Sequence, residues 1–183
     1  VKNGSCVDTS MGFTPLDGLV MGTRSGAIDP AIITFIAEKE GISAEEVITV
    51  LNKKSGVAGV SGVSSDFRDL EEAEAQGNQR AILALNIFAM RVKYYIGAYM
   101  AEMNGADAIV FTAGVGENDI GMRKLICSEL ECLGIELDDE KNKVRGVDRI
   151  ISKDSSKVKI MLIPTNEELM IAQDTAEIVG NLK

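Results

Sequence analysis

The sequence predicts an α/β fold, and three observations carry that prediction. Two short strand candidates, Ala108–Phe111 and Lys157–Ile163, alternate with helical patterns on either side. Gln79–Met103 repeats apolar residues at spacings of three and four: Ile82, Leu85, Ala89, Val92, Ile96, Tyr99 and Met103, widened by Leu83, Phe88 and Tyr95. The rigid punctuation is confined to a few loops. Pro15 and Pro30 lie within MGFTPLDGLVMGTRSGAIDP, Met11 to Pro30, and Pro164 opens IPTNEE.

The elements follow in order. Lys2–Ser10 reads as a strand or the tail of a hairpin, because Asn3-Gly4 is a tight-turn signal. Asp29-Pro30 reads as a cap followed by Pro at the first helical position, with the helix running to Glu40 and stopping at Gly41. Ser43 and Glu46 have the spacing of a capping box for a helix to about Lys53. GVAGVSGVSS reads as a small-residue connector. Asp66 caps a short helix that ends near Gly77. Gln79–Met103 is the strongest helix, roughly 37 Å long at 1.5 Å per residue, and Asn104-Gly105 stops it. Ala108–Phe111 is then a short buried strand, TAGVGEN a Gly-rich turn, and Asp119–Leu133 a helix. Thr165 is the expected cap of the last helix, Asn166–Val179, with Glu168 closing its capping box and Glu167 left without a structural task.

Composition limits the chemistry. The 183 residues suffice for one domain with a sizeable core, and 45% of them are hydrophobic. No long apolar run suggests a membrane span, and no secretory signal stands at the start. The opening at Val1, without Met, suggests a fragment or processed product. With no histidine, the chain has no His base, triad or metal ligand of its own. Cys6, Cys127 and Cys132 form no paired motif and read as reduced core or helix cysteines of a cytoplasmic protein. The net charge of −9 argues against nucleic acid as partner but leaves room for one nucleotide.

Four loops could carry chemistry. Arg24 is the one arginine of the Met11–Pro30 stretch, a guanidinium set among small residues where an anion could reach it. In SSDFRD, Asp66 suits a helix cap, while Phe67 beside Arg68 suits a flat base with polar edges. Gly114 and Gly116 let the backbone approach a ligand, although on sequence alone a plain strand-to-helix turn is the simpler reading. Glu167 at a helix start could compensate the dipole or face a hard cation.

These segments, MGFTPLDGLVMGTRSG, SSDFRDLEEA, VFTAGVGEN and IPTNEELMIA, stand in the order found in the acetate and propionate kinase family, which the chain resembles over nearly its whole length. The resemblance implies one lobe of the actin-like (ribonuclease H-like) ATPase fold, with a long central helix and a truncated first hairpin. Residues 1–183 would be the C-terminal nucleotide-binding lobe, the N-terminal lobe being absent. It implies an ATP:acetate phosphotransferase making acetyl phosphate and ADP reversibly, with Mg²⁺ or Mn²⁺, as a cytoplasmic homodimer serving acetyl-CoA formation. By position, Asp66, Phe67, Arg68, Gly114, Val115, Gly116, Glu117 and Asn118 would bind nucleotide. Pro15 would line the acyl pocket, Arg24 would support the transferring phosphoryl group, and Glu167 would be the metal-associated carboxylate. The family carries an acid after TRSG, where this chain has Ala27. Its catalytic Asp and His and its phosphate loop belong to the lobe this chain lacks, so the chain alone is expected to be inactive. The alternatives are a propionate kinase and a non-catalytic dimerisation module. A dinucleotide-binding dehydrogenase is disfavoured, because no acid ends a second strand about 20 residues after the Gly-rich loop.

Overall fold

Short polar side chains start most of the helices, and their identities set where each begins. Asp29 Oδ1 accepts from Ala31 N at 2.9 Å and opens α1, Ala31–Glu40, which Gly41 ends in the left-handed region. Ser43 and Glu46 form the expected reciprocal capping box of α2, Ala44–Lys53. Asp66 caps α4, Phe67–Ala75, and Asn78 caps α5, Gln79–Met103, by accepting from both Arg80 N and Ala81 N.

This computed structural model describes residues 1–181, which divide into two units, 1–106 and 107–181. The first unit is helical. GVAGVSGVSS is not a connector: Gly56–Ser61 forms a further helix, α3, packed with α4 against α5. Small residues make the close approach possible, and tertiary packing overrides their poor helix propensity. The buried face of α5 is correspondingly narrow, built from Ala81, Ala84, Leu85 and Ala89, while Leu83 of the expected stripe is 52% exposed. By length and mean hydropathy α5 could cross a bilayer, but Leu70 and Val57, both fully buried, belong to the helices packed on it. Each such side chain contributes about 1.5–3 kcal/mol through burial. Asn3-Gly4 makes the expected tight turn, closed by Lys2–Ser5 bonds, yet no strand follows in 6–10.

The second unit is a three-stranded sheet with helices. β1, Ala108–Phe111, runs parallel to β3, Lys159–Leu162, and β2, Arg149–Ile150, pairs antiparallel on the far side of β3. β3 is the central strand, with Ile160 and Leu162 wholly buried. β1 is an edge strand, buried only at Phe111, which corrects its reading as a buried strand. The Gly-rich stretch is itself a short helix, α6, Ala113–Asn118. α7, Ile120–Cys127, begins at the Asp119 cap but stops six residues short of Leu133. Glu129 sits in the left-handed region, and a 3₁₀ turn, Glu131–Leu133, returns the chain to bury Leu130 and Ile135. Leu130 and Leu133 extend the helical spacing in sequence while serving a turn in space. Of the three cysteines only Cys127 is buried. α8, Glu167–Gly180, follows β3 and has no buried residue.

Gly56 has φ +65, and a Cβ there would lie 2.3 Å from Met21 O and under 3 Å from two more backbone atoms. Gly56→Ala is therefore expected to cost at least about 2 kcal/mol, from left-handed strain plus forced displacement of the 21–24 backbone. Equilibrium urea unfolding of the two proteins measures this; equal stability would mean that the 21–24 stretch yields freely.

Candidate functional site

The Arg24 loop is held by its main chain. The first N–H groups of α3 would otherwise lack partners. Ser55 N, Val57 N and Ala58 N instead donate to the carbonyls of Thr23, Met21 and Gly22 at 2.9–3.0 Å. The C-terminal turn of α2 grips the same loop, with Leu51 O accepting from Ser25 N and Asn52 O from Thr23 Oγ1. Met21 N donates to Arg24 O, and Ala27 N to Gly18 O, closing the loop through backbone alone. Ala27 takes part in this closure through its amide. The Arg24 side chain is half-buried; Nη1 lies 3.7 Å from Met21 Sδ, and among the described residues no carboxylate pairs with it. Pro15 is exposed within a turn whose ends join through Asp17 N and Thr14 O.

Elsewhere in the same unit, Asp66, Phe67 and Arg68 begin α4. Asp66 Oδ1 accepts from both Arg68 N and Arg68 Nε, while Oδ2 meets Arg68 Nη2 at 2.5 Å. This fork holds the Asp66 carboxyl down to about 2 and raises the Arg68 guanidinium above its ordinary value. Phe67 packs edge-to-face on Phe88 of α5, with centroids 4.8 Å apart, so its ring helps seat α4 on α5.

In the second unit the parallel pairing sets the site. Phe111 lies opposite Leu162, and Ile163 N donates to Phe111 O, so the loops that follow β1 and β3 leave the sheet side by side. One carboxylate joins them. Glu117 Oε1 accepts from Ala113 N at 2.7 Å, Thr165 N at 2.8 Å and Thr165 Oγ1 at 3.1 Å. Those donors, the Thr165 amide foremost, hold the Glu117 carboxyl below its usual range. The sequence reading placed Thr165 as the cap of the last helix, and the structure corrects this. Asn166 Oδ1 accepts from Leu169 N, so Asn166 is the cap and Thr165 is engaged with Glu117. No capping box through Glu168 exists. Glu167 and Glu168 occupy the first two helical positions, and no described residue hydrogen-bonds or ion-pairs with either carboxylate. Both line an open pocket with Ala113, Gly114, Glu117, Thr165 and Asn166.

Behind α6 stands a residue that sequence reasoning passed over. Arg123 is completely buried, and burial pushes its guanidinium below its ordinary value. It donates to Gly116 O, Val144 O, Asn142 O and Asn142 Oδ1 at 2.7–3.0 Å. Arg145 Nε reaches Asn118 O at 2.7 Å, and Gly146 N reaches Glu117 O. The last carbonyls of α6 are thereby satisfied by Arg123 and by the 145–146 segment. An arginine in the middle of an apolar helical face, between Met122 and Ile126, was the available signal.

Within the first unit the structure thus sets Arg24 in a braced loop and Asp66–Arg68 at a helix start. Within the second it brings Gly114, Glu117 and Glu167 around one pocket. No cluster of three or more Cys, Asp or Glu that could hold a metal occurs among the described residues.

A profile of the acetokinase family matches residues 1–173. The acetate kinase of Thermoanaerobacter pseudethanolicus is 64% identical across the whole chain, which covers 46% of that protein. The crystal structure of Porphyromonas gingivalis acetate kinase superposes with a TM-score of 0.93 at 50% identity, over 98% of this chain and 45% of that one. A propionate kinase from Francisella tularensis gives 0.88 at 47% identity, over 94% and 44%. The chain spans less than half the length of these relatives.

Asp66 is expected to titrate at about 2 in the folded chain, and Arg68→Ala to raise it part of the way towards the ordinary aspartate range, because the amide of residue 68 still donates to Oδ1. A depressed carboxyl stabilises the fold above its unfolded pKa, and that contribution is lost as pH falls towards 2. Both groups face water, so the effect on overall stability is small. A carboxyl-carbon NMR titration of the two proteins reads the shift directly; an unmoved Asp66 in Arg68→Ala would show that the fork is not its cause.

Proposed function

The chain belongs to the acetokinase family, and from that premise we propose that it is the nucleotide-binding part of an ATP-dependent acetate kinase. An acetate oxygen attacks the γ-phosphorus of ATP in line, the bond to the β–γ bridging oxygen breaks, and acetyl phosphate and ADP result. Such a reaction asks the protein for position and charge more than for covalent help. Arg24 supplies one such charge. Its planar fork suits two equatorial phosphoryl oxygens, and among the described residues it has no acid to leave on binding. That guanidinium, with no carboxylate partner among the described residues and in a loop braced by α2 and α3, is the observation that carries the reading.

The other groups divide by task. Asp66, Phe67 and Arg68 serve the adenosine end, and the Gly114–Asn118 backbone serves the phosphates. Pro15 lines the acyl pocket. Glu167 fits Mg²⁺, since its carboxylate is unengaged among the described residues and one or two carboxylates suffice when phosphate and water fill the remaining positions. The cation would neutralise phosphate charge when bound. On this reading the family's other lobe supplies the remaining catalytic groups, and the working enzyme is a cytoplasmic homodimer.

The likeness to a propionate kinase supports a second reading of the acceptor. One methylene in an apolar pocket separates the two acids by only about 1–3 kcal/mol. The ratio of kcat/KM for acetate and propionate decides between them.

In the complete enzyme, Arg24→Ala is expected to lower kcat about a hundredfold or more and to spare nucleotide affinity. A loss confined to the KM for ATP would remove Arg24 from the transition state. Glu167→Gln is expected to raise the Mg²⁺ concentration needed for half-maximal turnover with little change in Tm, because an amide oxygen is a poor partner for a hard cation. Glu168→Gln should leave that requirement unchanged. If neither substitution alters the Mg²⁺ dependence, the two glutamates are helix-start residues and nothing more.

A further inference from the structure

Glu117 lies in the stretch read as nucleotide-binding, yet its carboxylate is engaged with the protein. A single oxygen, Oε1, takes three donors: Ala113 N at the start of α6, and the amide and hydroxyl of Thr165 in the loop after β3. Neither end of this link is held by its own element in the usual way. Ala113 has φ +58, a conformation that costs a non-glycine residue energy and needs an external hold. Thr165 precedes the Asn166 cap and makes no cap bond of its own, so its amide and hydroxyl both depend on Glu117. Beyond these bonds, the two loops are joined where Ile163 N extends the ladder to Phe111 O.

We propose that Glu117 is a positioning residue whose carboxylate fixes the distance between the Gly114 backbone and the Glu167 carboxylate across their shared pocket. This rests on the phosphate and Mg²⁺ roles given to those groups above. Length is what the task requires. The side chain must reach from the second half of α6 back to Ala113 and across to Thr165, and the next shorter acid lacks one methylene of that reach. Charge is secondary, because an amide oxygen can accept from the same N–H groups. A residue that met the nucleotide or its cation directly would show the opposite order of tolerance, since Asp keeps the charge and Gln loses it.

The test compares wild type, Glu117→Gln and Glu117→Asp, with circular dichroism confirming that each is folded. Amide hydrogen exchange is read at Ala113 and Thr165, and ADP is titrated with and without Mg²⁺. Glu117→Gln is expected to keep both amides protected and to bind MgADP within about fivefold of wild type, the scale of one neutral hydrogen bond. Glu117→Asp is expected to lose protection at both amides and to lose the tightening of ADP by Mg²⁺, while binding of ADP alone changes less. Three results overturn the proposal: Asp tolerated and Gln not, protection kept at both amides in Glu117→Asp, or protection lost with the Mg²⁺ effect intact. If wild type itself shows no Mg²⁺-dependent ADP binding, the phosphate and metal reading of the pocket fails, and the positioning role fails with it. That result is distinct because it appears before any substitution is made.

Discussion

The parallel pairing of β1 with β3 is the constraint on which the second unit depends. Its register sets Phe111 beside Leu162, so two chain segments distant in sequence leave the sheet together. Strands in parallel cannot be joined by a tight turn, and the intervening chain must cross over with helical structure. Here that crossover holds α6, α7, a 3₁₀ turn and β2. The pocket beside Gly114 and Glu167 thus follows from strand register, before any side chain is specified. Ligands of open α/β sheets are found at this end of the strands for that topological reason.

Arg123 supplies the internal support for that arrangement. Removing a guanidinium from water is costly unless its donors are filled, and here carbonyl dipoles and one Asn side chain fill them. Asn142 is itself buried and donates onward to Ile120 O, so the start of α7, the last turn of α6 and the 142–144 segment share one network. A short helix such as α6 has little stability of its own. It persists because its carbonyls are satisfied from behind by Arg123, Arg145 and Gly146, and its first amide from within by Glu117.

Much of this was legible in sequence wherever local chemistry decides the outcome. Ser43 with Glu46, Asp29 before Pro30, Asp66 and the stop at Asn104 place helix ends through bonds that span at most a few residues. The readings that failed were those in which distant residues outbid local ones. Thr165 has the spacing of a cap, but Glu117, 48 residues away, claims it and the cap passes to Asn166. GVAGVSG has one good helix former, Ala58, among Gly, Val and Ser, yet close packing on α5 and carbonyls from the Arg24 loop make it helical. Leu133 continues the spacing of α7, but the left-handed Glu129 has already turned the chain. Of the candidate site residues, Arg24 lies in a loop and Asp66 and Glu167 at helix starts, as their sequence context suggests, whereas Gly114–Asn118, read as a turn, forms most of α6. The sequence could not show that Glu117 would be engaged with Thr165, or that Phe67 would rest on Phe88, because both are long-range pairings.

The contrast between Arg123 and Arg68 bears on how the two units meet changes in ionic strength. Arg68 is held by an opposite charge in open water, and dissolved ions compete for both members of that pair. Arg123 is held by neutral oxygens in a space from which ions are excluded, so added electrolyte has nothing there to displace. Concentrated salt therefore weakens the attraction between Arg68 and Asp66, with the Asp66 bond to the Arg68 amide still in place, and does not reach the frame behind α6. One chain thus carries an arginine that senses its medium and another that is insulated from it.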